Sequence, residues 1–280
     1  VLSDFDAHIR AAMALVRRTE PHAYLWYVDP RVLPAVLAHA LERGVESETV
    51  VATIRALDLS PPENAGVAWP WPVRVQLLGA FEVRVQGVPL PPSRKPPRKI
   101  LSLLKALCCA GEWVSETQLL DWLWPESEAD AGRKSLDIAL HRLRSMLGTP
   151  HSVKVRDGKI GLDRRVVWTD AWAFEGRANG GDKPFRHCHE VIGLYRGALL
   201  PGDTESMWTV SYRERLRSTF NALLARSGAD CERAGEWESA LCWYQSGLDI
   251  DDLHESTYVG AMRCQWQLGR SADARATYDR

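Results

Sequence analysis

No apolar run in this chain approaches the roughly 20 residues that a membrane-spanning helix requires, and no basic-then-apolar leader opens it, so neither insertion nor export is expected. The chain begins at Val1 rather than Met and ends at Arg280 partway through a helical pattern, as a fragment of a longer protein would. Cysteine is sparse. Cys108, Cys109, Cys188, Cys231, Cys242 and Cys264 form no Cys-x-x-Cys pair, and most fall in helical apolar patterns. That usage fits buried thiols in a reducing cytoplasm rather than disulfides or metal ligands. His187 and His189 flank Cys188, but this short cluster lacks the second ligand group that zinc needs. The chain contains no Gly-x-x-x-x-Gly-Lys-Ser/Thr phosphate loop, no Gly-x-Ser-x-Gly and no His-Glu-x-x-His. Asp249, Asp251 and Asp252 cluster, but at the turn after a helix, where solvated acidic residues are routine. No catalytic residue, metal or cofactor is therefore expected.

What the chain does have is a segregated charge. The net charge of −1 hides a stretch, Val73 to Trp168, with 16 Lys and Arg against 10 Asp and Glu, a net of +6. The remaining residues hold 19 basic and 26 acidic groups. A basic unit inside acidic surroundings suits phosphate on one side and protein on the other.

Four parts follow from the patterns. Residues 1–60 read as helical, with Val32, Leu33, Val36, Leu37, Ala40 and Leu41 at helical spacing and Gly44 as a stop. A second helix after Ser47 places Val50, Val51, Ile54 and Leu57 on one face. Residues 61–72 are a linker, because prolines exclude helix there, and its Trp69 and Trp71 are expected to pack on a neighbouring domain. Residues 73–170 begin with alternating strands, Val73–Leu78 and Phe81–Val85, and a short Val88–Leu90. Three helices follow. The first runs from about Arg98 to Ala110, with Ile100, Leu103, Leu104 and Leu107 inward. The second is capped by Ser115 with Gln118 reaching back, and the third is capped by Ser127 and Asp130 and continues to Leu147.

The third helix carries the functional expectation. Leu136, Leu140, Leu143 and Leu147 form one apolar stripe. Lys134, Ile138, His141, Arg142 and Ser145 occupy the opposite face, flanked by Arg133 and Arg144. Alone, this favours a DNA-reading face only slightly over a solvated basic one. Two capped helices before it and a hairpin after it, Val153–Ile160 with an Asp157-Gly158 turn, complete the plan of a winged helix-turn-helix. Lys154, Arg156 and Lys159 then suit a wing that meets phosphate or the minor groove.

Residues 171–280 read as helix pairs. Gly235, Ala240 and Tyr244 recur as Gly269, Ala274 and Tyr278, an offset of 34 residues and the period of a tetratricopeptide repeat. Gly228 stands where such a repeat places a small residue. Stacked repeats offer concave surfaces for protein partners or self-association. The fold expected is mainly α with small antiparallel β elements.

The motifs Leu77–Val83, Arg94-Lys95, Leu120–Pro125 and Ser135–Arg144 resemble bacterial transcriptional activators of the antibiotic-regulatory type. So do Leu194–Gly202, Trp208 and Arg213–Leu216. The resemblance covers about 73–280 and implies an OmpR-type winged helix joined to a bacterial transcriptional activator domain. It further implies double-stranded DNA and RNA polymerase as partners, with polymerase touching the loop Pro125, Glu126, Ser127 and Glu128. Direct-repeat targets, head-to-tail subunits and a location on the nucleoid in the cytoplasm follow from the same likeness. Ala40–Val45 and Trp69–Pro72 resemble the tail of the helical sensor region in larger, MalT-like regulators. The contrasting expectation is a protein-interaction or effector-sensing module whose winged helix does not read DNA.

Overall fold

The computed structural model describes residues 2–19, 29, 32–62, 65–91, 97–179, 190–203, 206–251 and 254–280. Arg94, Lys95, Asp252 and the His187-Cys188-His189 cluster lie outside the described residues. Three helices, α1 (Leu2–Thr19), α2 (Val32–Glu42) and α3 (Ser47–Ala56), precede the first strand. They share a core of their own, including Ile9, Met13, Leu37, Ala40, Val50 and Ile54. Trp69 and Trp71 complete that core, so the two linker tryptophans pack backward onto the N-terminal helices. The Trp71 indole donates to the Gly66 carbonyl at 3.1 Å, which fixes the turn between them.

The winged helix starts with β1 (Val73–Gln76), β2 (Glu82–Val85) and β3 (Val88–Pro89). Val73, Val75 and Val83 point inward, as period-two alternation requires. These strands are antiparallel, but the sheet has a fourth member that the pattern did not reveal. Strand β7 (Val167–Thr169) joins the free side of β1 in parallel, giving the order β3-β2-β1-β7. Residues 77–78 leave the strand, because both their N–H groups turn to the Asp170 carboxylate, at 2.8 and 3.0 Å.

Helices α4 (Arg98–Cys109), α5 (Glu116–Leu123) and α6 (Ala129–Met146) follow, packed through Leu103, Leu107, Leu119, Leu123, Leu136, Leu140 and Leu143. Between them, β4 (Val114–Ser115) pairs with β6 (Lys159–Leu162), which pairs with β5 (Val153–Arg156), so the wing is anchored at the start of α5. Ser115 accepts from the Gln118 backbone N–H at 3.2 Å, as expected of a helix cap. The cap of α6 differs from expectation. Glu128 holds that position with no side-chain cap bond, and Ser127 instead closes a turn onto the Trp124 carbonyl at 3.0 Å.

Beyond α7 (Asp170–Ala178) come α8 (Met207–Arg233), α9 (Trp237–Leu248), α10 (Glu255–Gln267) and α11 (Ser271–Tyr278). Tyr244 of α9 is the wedge of this stack. A Cβ on Gly228 would lie 2.4 Å from its ring, and one on Gly260 would lie 2.5 Å from it, so both flanking helices need glycine at the contact. The Tyr244 hydroxyl donates to Glu232 at 2.8 Å, and burial, first of all, raises its pKa. Helix α11 buries no residue, and Trp266 and Tyr278 are exposed. Asp251 corrects the expectation of a solvated acidic turn: it accepts from the Asn221 side chain at 3.1 Å and is only 11% exposed. Cys242 is exposed, whereas Cys108 and Cys264 are fully buried.

Candidate nucleic-acid interface

Helix α6 presents its leucine stripe to the core and the opposite face to solvent. Lys134, Ile138, His141, Arg142 and Ser145 are all exposed there. Ile138 is 54% exposed, an apolar side chain on a polar ridge. Lys134 and Arg142 form no ion pair among the described residues.

The flanking cations behave differently. Arg133 is drawn to Glu116 at the first turn of α5, with Nε 2.7 Å from the carboxylate. Arg144 turns toward the wing, and its Nε and Nη2 donate to the Val153 carbonyl at 3.3 and 3.1 Å. Both therefore hold neighbouring elements in register with α6.

The wing turns at Asp157 and Gly158, with φ of 50° and 68°. Two successive left-handed residues make the tight turn that an Asp-Gly pair favours. Arg156 and Lys159 flank it and are exposed, as is Val155. Arg156 touches Asp157 at 3.2 Å, but with side chains 80% and 84% exposed that pair is worth little. Lys154 sits lower on the wing, where its ammonium lies 2.9 Å from Asp163.

Asp163 is a residue that sequence reasoning missed. Burial alone would raise its carboxyl, but hydrogen bonds from Arg165 and Lys154 outweigh that and hold it at about 2. It thereby fixes the base of the wing. Its signature in the sequence is no more than an acid before two arginines, and its partner Lys154 is nine residues away across the hairpin.

Pro125, Glu126, Ser127 and Glu128 are exposed on the loop between α5 and α6. Beside this loop, Lys99 lies over the Trp124 ring at 5.3 Å, and Trp122 stacks on Trp208 of α8 at 6.2 Å. The loop is thus braced at its base by both the winged helix and the helical domain.

Asp170 is the second residue missed. Its carboxylate accepts from the N–H groups of Leu77, Leu78 and Ala171 at 2.8, 3.0 and 2.8 Å. Burial pushes its pKa up to about 6 in spite of these bonds. Nothing local marks it, because two of its partners lie more than ninety residues earlier.

Residues 170–280 match the family described as "Bacterial transcriptional activator domain". The fold as a whole is similar to that of EmbR from Mycobacterium tuberculosis, solved in complex with a low-affinity phosphopeptide. The TM-score is 0.55 at 18% sequence identity, and the match covers 74% of this chain and 58% of that one. At that identity the likeness is one of fold. No curated protein matches the sequence as a relative. Among the described residues, no helix is long and apolar enough to cross a membrane.

Proposed function

We propose that this activator domain and the winged helix fused to it form a transcriptional regulator that reads double-stranded DNA. One observation carries the proposal. The outward face of α6 and the neighbouring wing tip expose cations that, among the described residues, no carboxylate neutralises or only a solvated one touches, while Arg133, Arg144 and Lys154 are engaged within the protein. Lys134, Ile138, His141, Arg142 and Ser145 enter the major groove, and Ile138 offers its side chain to a thymine methyl. Arg156 and Lys159 bind phosphate beside it. Arg133, Arg144 and Lys154 contribute by positioning the helix and wing, and extend a bond to the DNA backbone where their internal partners leave donors over.

The winged helix is of the OmpR type in this reading, and the protein activates by recruiting RNA polymerase. Polymerase meets Pro125, Glu126, Ser127 and Glu128, where two exposed carboxylates stand on a braced loop. The outer face of the last repeat, with Trp266 and Tyr278 exposed, suits self-association on direct-repeat sites. The N-terminal helices belong to the sensor array of a larger, MalT-like regulator acting on the nucleoid in the cytoplasm.

The test starts from duplexes selected from a random library with the full chain. The combined variant Lys134→Ala, His141→Ala, Arg142→Ala should lose selective binding while melting as the parent does. Parental affinity in the folded triple variant would overturn the DNA-reading assignment. Reversing Glu126 and Glu128 to Lys should then reduce transcription in a reconstituted system with DNA affinity unchanged.

A further inference from the structure

The outer face of the first sheet carries an arrangement that DNA reading does not use. Arg74 on β1 and Arg84 on β2 are direct cross-strand partners, and Trp168 on β7 stands beside Arg74 in the parallel register. Like charges directly opposite in an antiparallel pair repel. Burial, together with the nearby Arg84 charge, lowers the Arg74 pKa accordingly. Glu82 pairs with Arg84 at 2.7 Å. Among the described residues, Arg74 has no carboxylate partner and donates to the Trp69 carbonyl at 2.7 Å.

A third guanidinium reaches the same place from the activator domain. Arg196 is exposed and makes no side-chain hydrogen bond or ion pair among the described residues. The three arginines line one cavity of about 310 Å³, closed by Val67 of the linker and by Leu194 and Trp168. That volume lies at the lower end of small-ligand pockets. Asp170 also borders the cavity, but its carboxylate is committed to three backbone N–H groups. Glu82 answers one arginine, which leaves the basic charge in excess.

We propose that this cleft binds a small multivalent anion carrying phosphate or carboxylate groups, gripped by Arg74, Arg84 and Arg196. Guanidinium groups bind both kinds of oxyanion through paired N–H donors. An anion placed there neutralises the cross-strand repulsion. It also joins three parts of the chain, because the linker, the sheet and the activator domain each contribute a wall. The site is therefore an effector site, set where ligand binding ties the N-terminal region to the regulator's body.

The test is thermal unfolding of the full chain in inorganic pyrophosphate or in citrate, each against chloride at equal ionic strength. Ligand at a hundred times its Kd should raise the midpoint by about 5 °C for a chain of this size. A shift with pyrophosphate identifies a phosphate ligand, and a shift with citrate alone identifies a carboxylate one. Either shift should vanish in the R84Q/R196Q variant and persist in R156Q/K159Q, which removes the same charge from the wing. If the double variant fails to fold, R196Q alone, at an exposed position, should weaken binding about tenfold. The absence of any shift, its survival in R84Q/R196Q or R196Q, or its loss in R156Q/K159Q would overturn the proposal.

Discussion

The winged helix and the helical domain after it share backbone hydrogen bonds and one core, whereas the N-terminal helices keep a separate core that, among the described residues, is joined to the rest mainly through side chains. On the first side, Leu200 N–H donates to the Leu77 carbonyl at 2.9 Å and Gly79 N–H to the Ala198 carbonyl at 3.0 Å. Asp170 clamps the same strand end, Trp172 donates to the Cys108 carbonyl at 2.8 Å, and Lys105 pairs with Asp203 at 2.6 Å. One apolar core runs from Val73 through Phe174, Tyr195 and Phe220 to Cys264. On the second side, the helices keep a core of their own. They reach the rest through Trp168, which packs against both cores, and through Arg177 and Glu42 at 3.5 Å. The difference teaches that the winged helix and the helical domain after it fold as one unit, although a boundary near 170 looks natural in the sequence. Deleting residues 171–280 would therefore expose core and does not isolate a binding module.

The strongest way to break this comparison is Phe220→Ala. Phe220 is fully buried and stacks on Tyr195 at 4.2 Å in the shared core. Its loss should cost about 3–5 kcal/mol and lower the melting of the winged helix and repeats together. Separate transitions, with α6 intact after the repeats have melted, would refute the single unit. Leu37→Ala is the matching change on the other side, at a fully buried site in the N-terminal core. It should cost about 2–5 kcal/mol there and leave the main transition where it was, which calorimetry of both variants would check.

The seam also has its own pH dependence. The Asp170 pKa is raised to about 6 from 3.8, so folding favours the protonated form. Its contribution to stability is full below pH about 4 and is lost as pH rises through about 6. Comparing the parent with Asp170→Asn across that window should show the parent losing stability relative to the variant as pH rises. Parallel curves would remove Asp170 as the cause.

Two smaller effects sharpen the contrast between cations proposed to read DNA and cations that hold the fold. Arg142→Ala should weaken selective DNA binding by roughly 1–3 kcal/mol with no change in melting, whereas Arg144→Ala should lower melting, because it loses the bonds to Val153. Arg156→Ala, at the wing tip, should flatten the dependence of log affinity on log salt by about one unit. An unchanged slope in the folded variant would argue against a wing-to-phosphate contact.

Much of this was legible in the chain itself. The 3.6-residue spacing of Leu136, Leu140, Leu143 and Leu147 can be buried in only one way, so the exposed face of α6 followed directly. The Asp157-Gly158 pair specified its turn through local backbone preference, and the recurrence of Gly235 and Tyr244 announced the repeat. Among the candidate DNA contacts, Lys134 and Arg133 looked alike because both are basic neighbours on a helix. They differ in the structure because Glu116, on another element, lies within reach of one of them.

Periodicity, turn chemistry and capping act over a few residues, and the sequence by itself therefore determined the helices, the hairpin, the leucine core and the basic surface. Only the tertiary structure decided that β7 would pair in parallel with β1, that Asp170 would clamp residues more than ninety positions away, and that Lys154 would be held by Asp163. It also brought Arg74, Arg84 and Arg196 around one cavity. Those facts depend on which surfaces meet when hydrophobic burial closes the chain, and burial is indifferent to sequence separation.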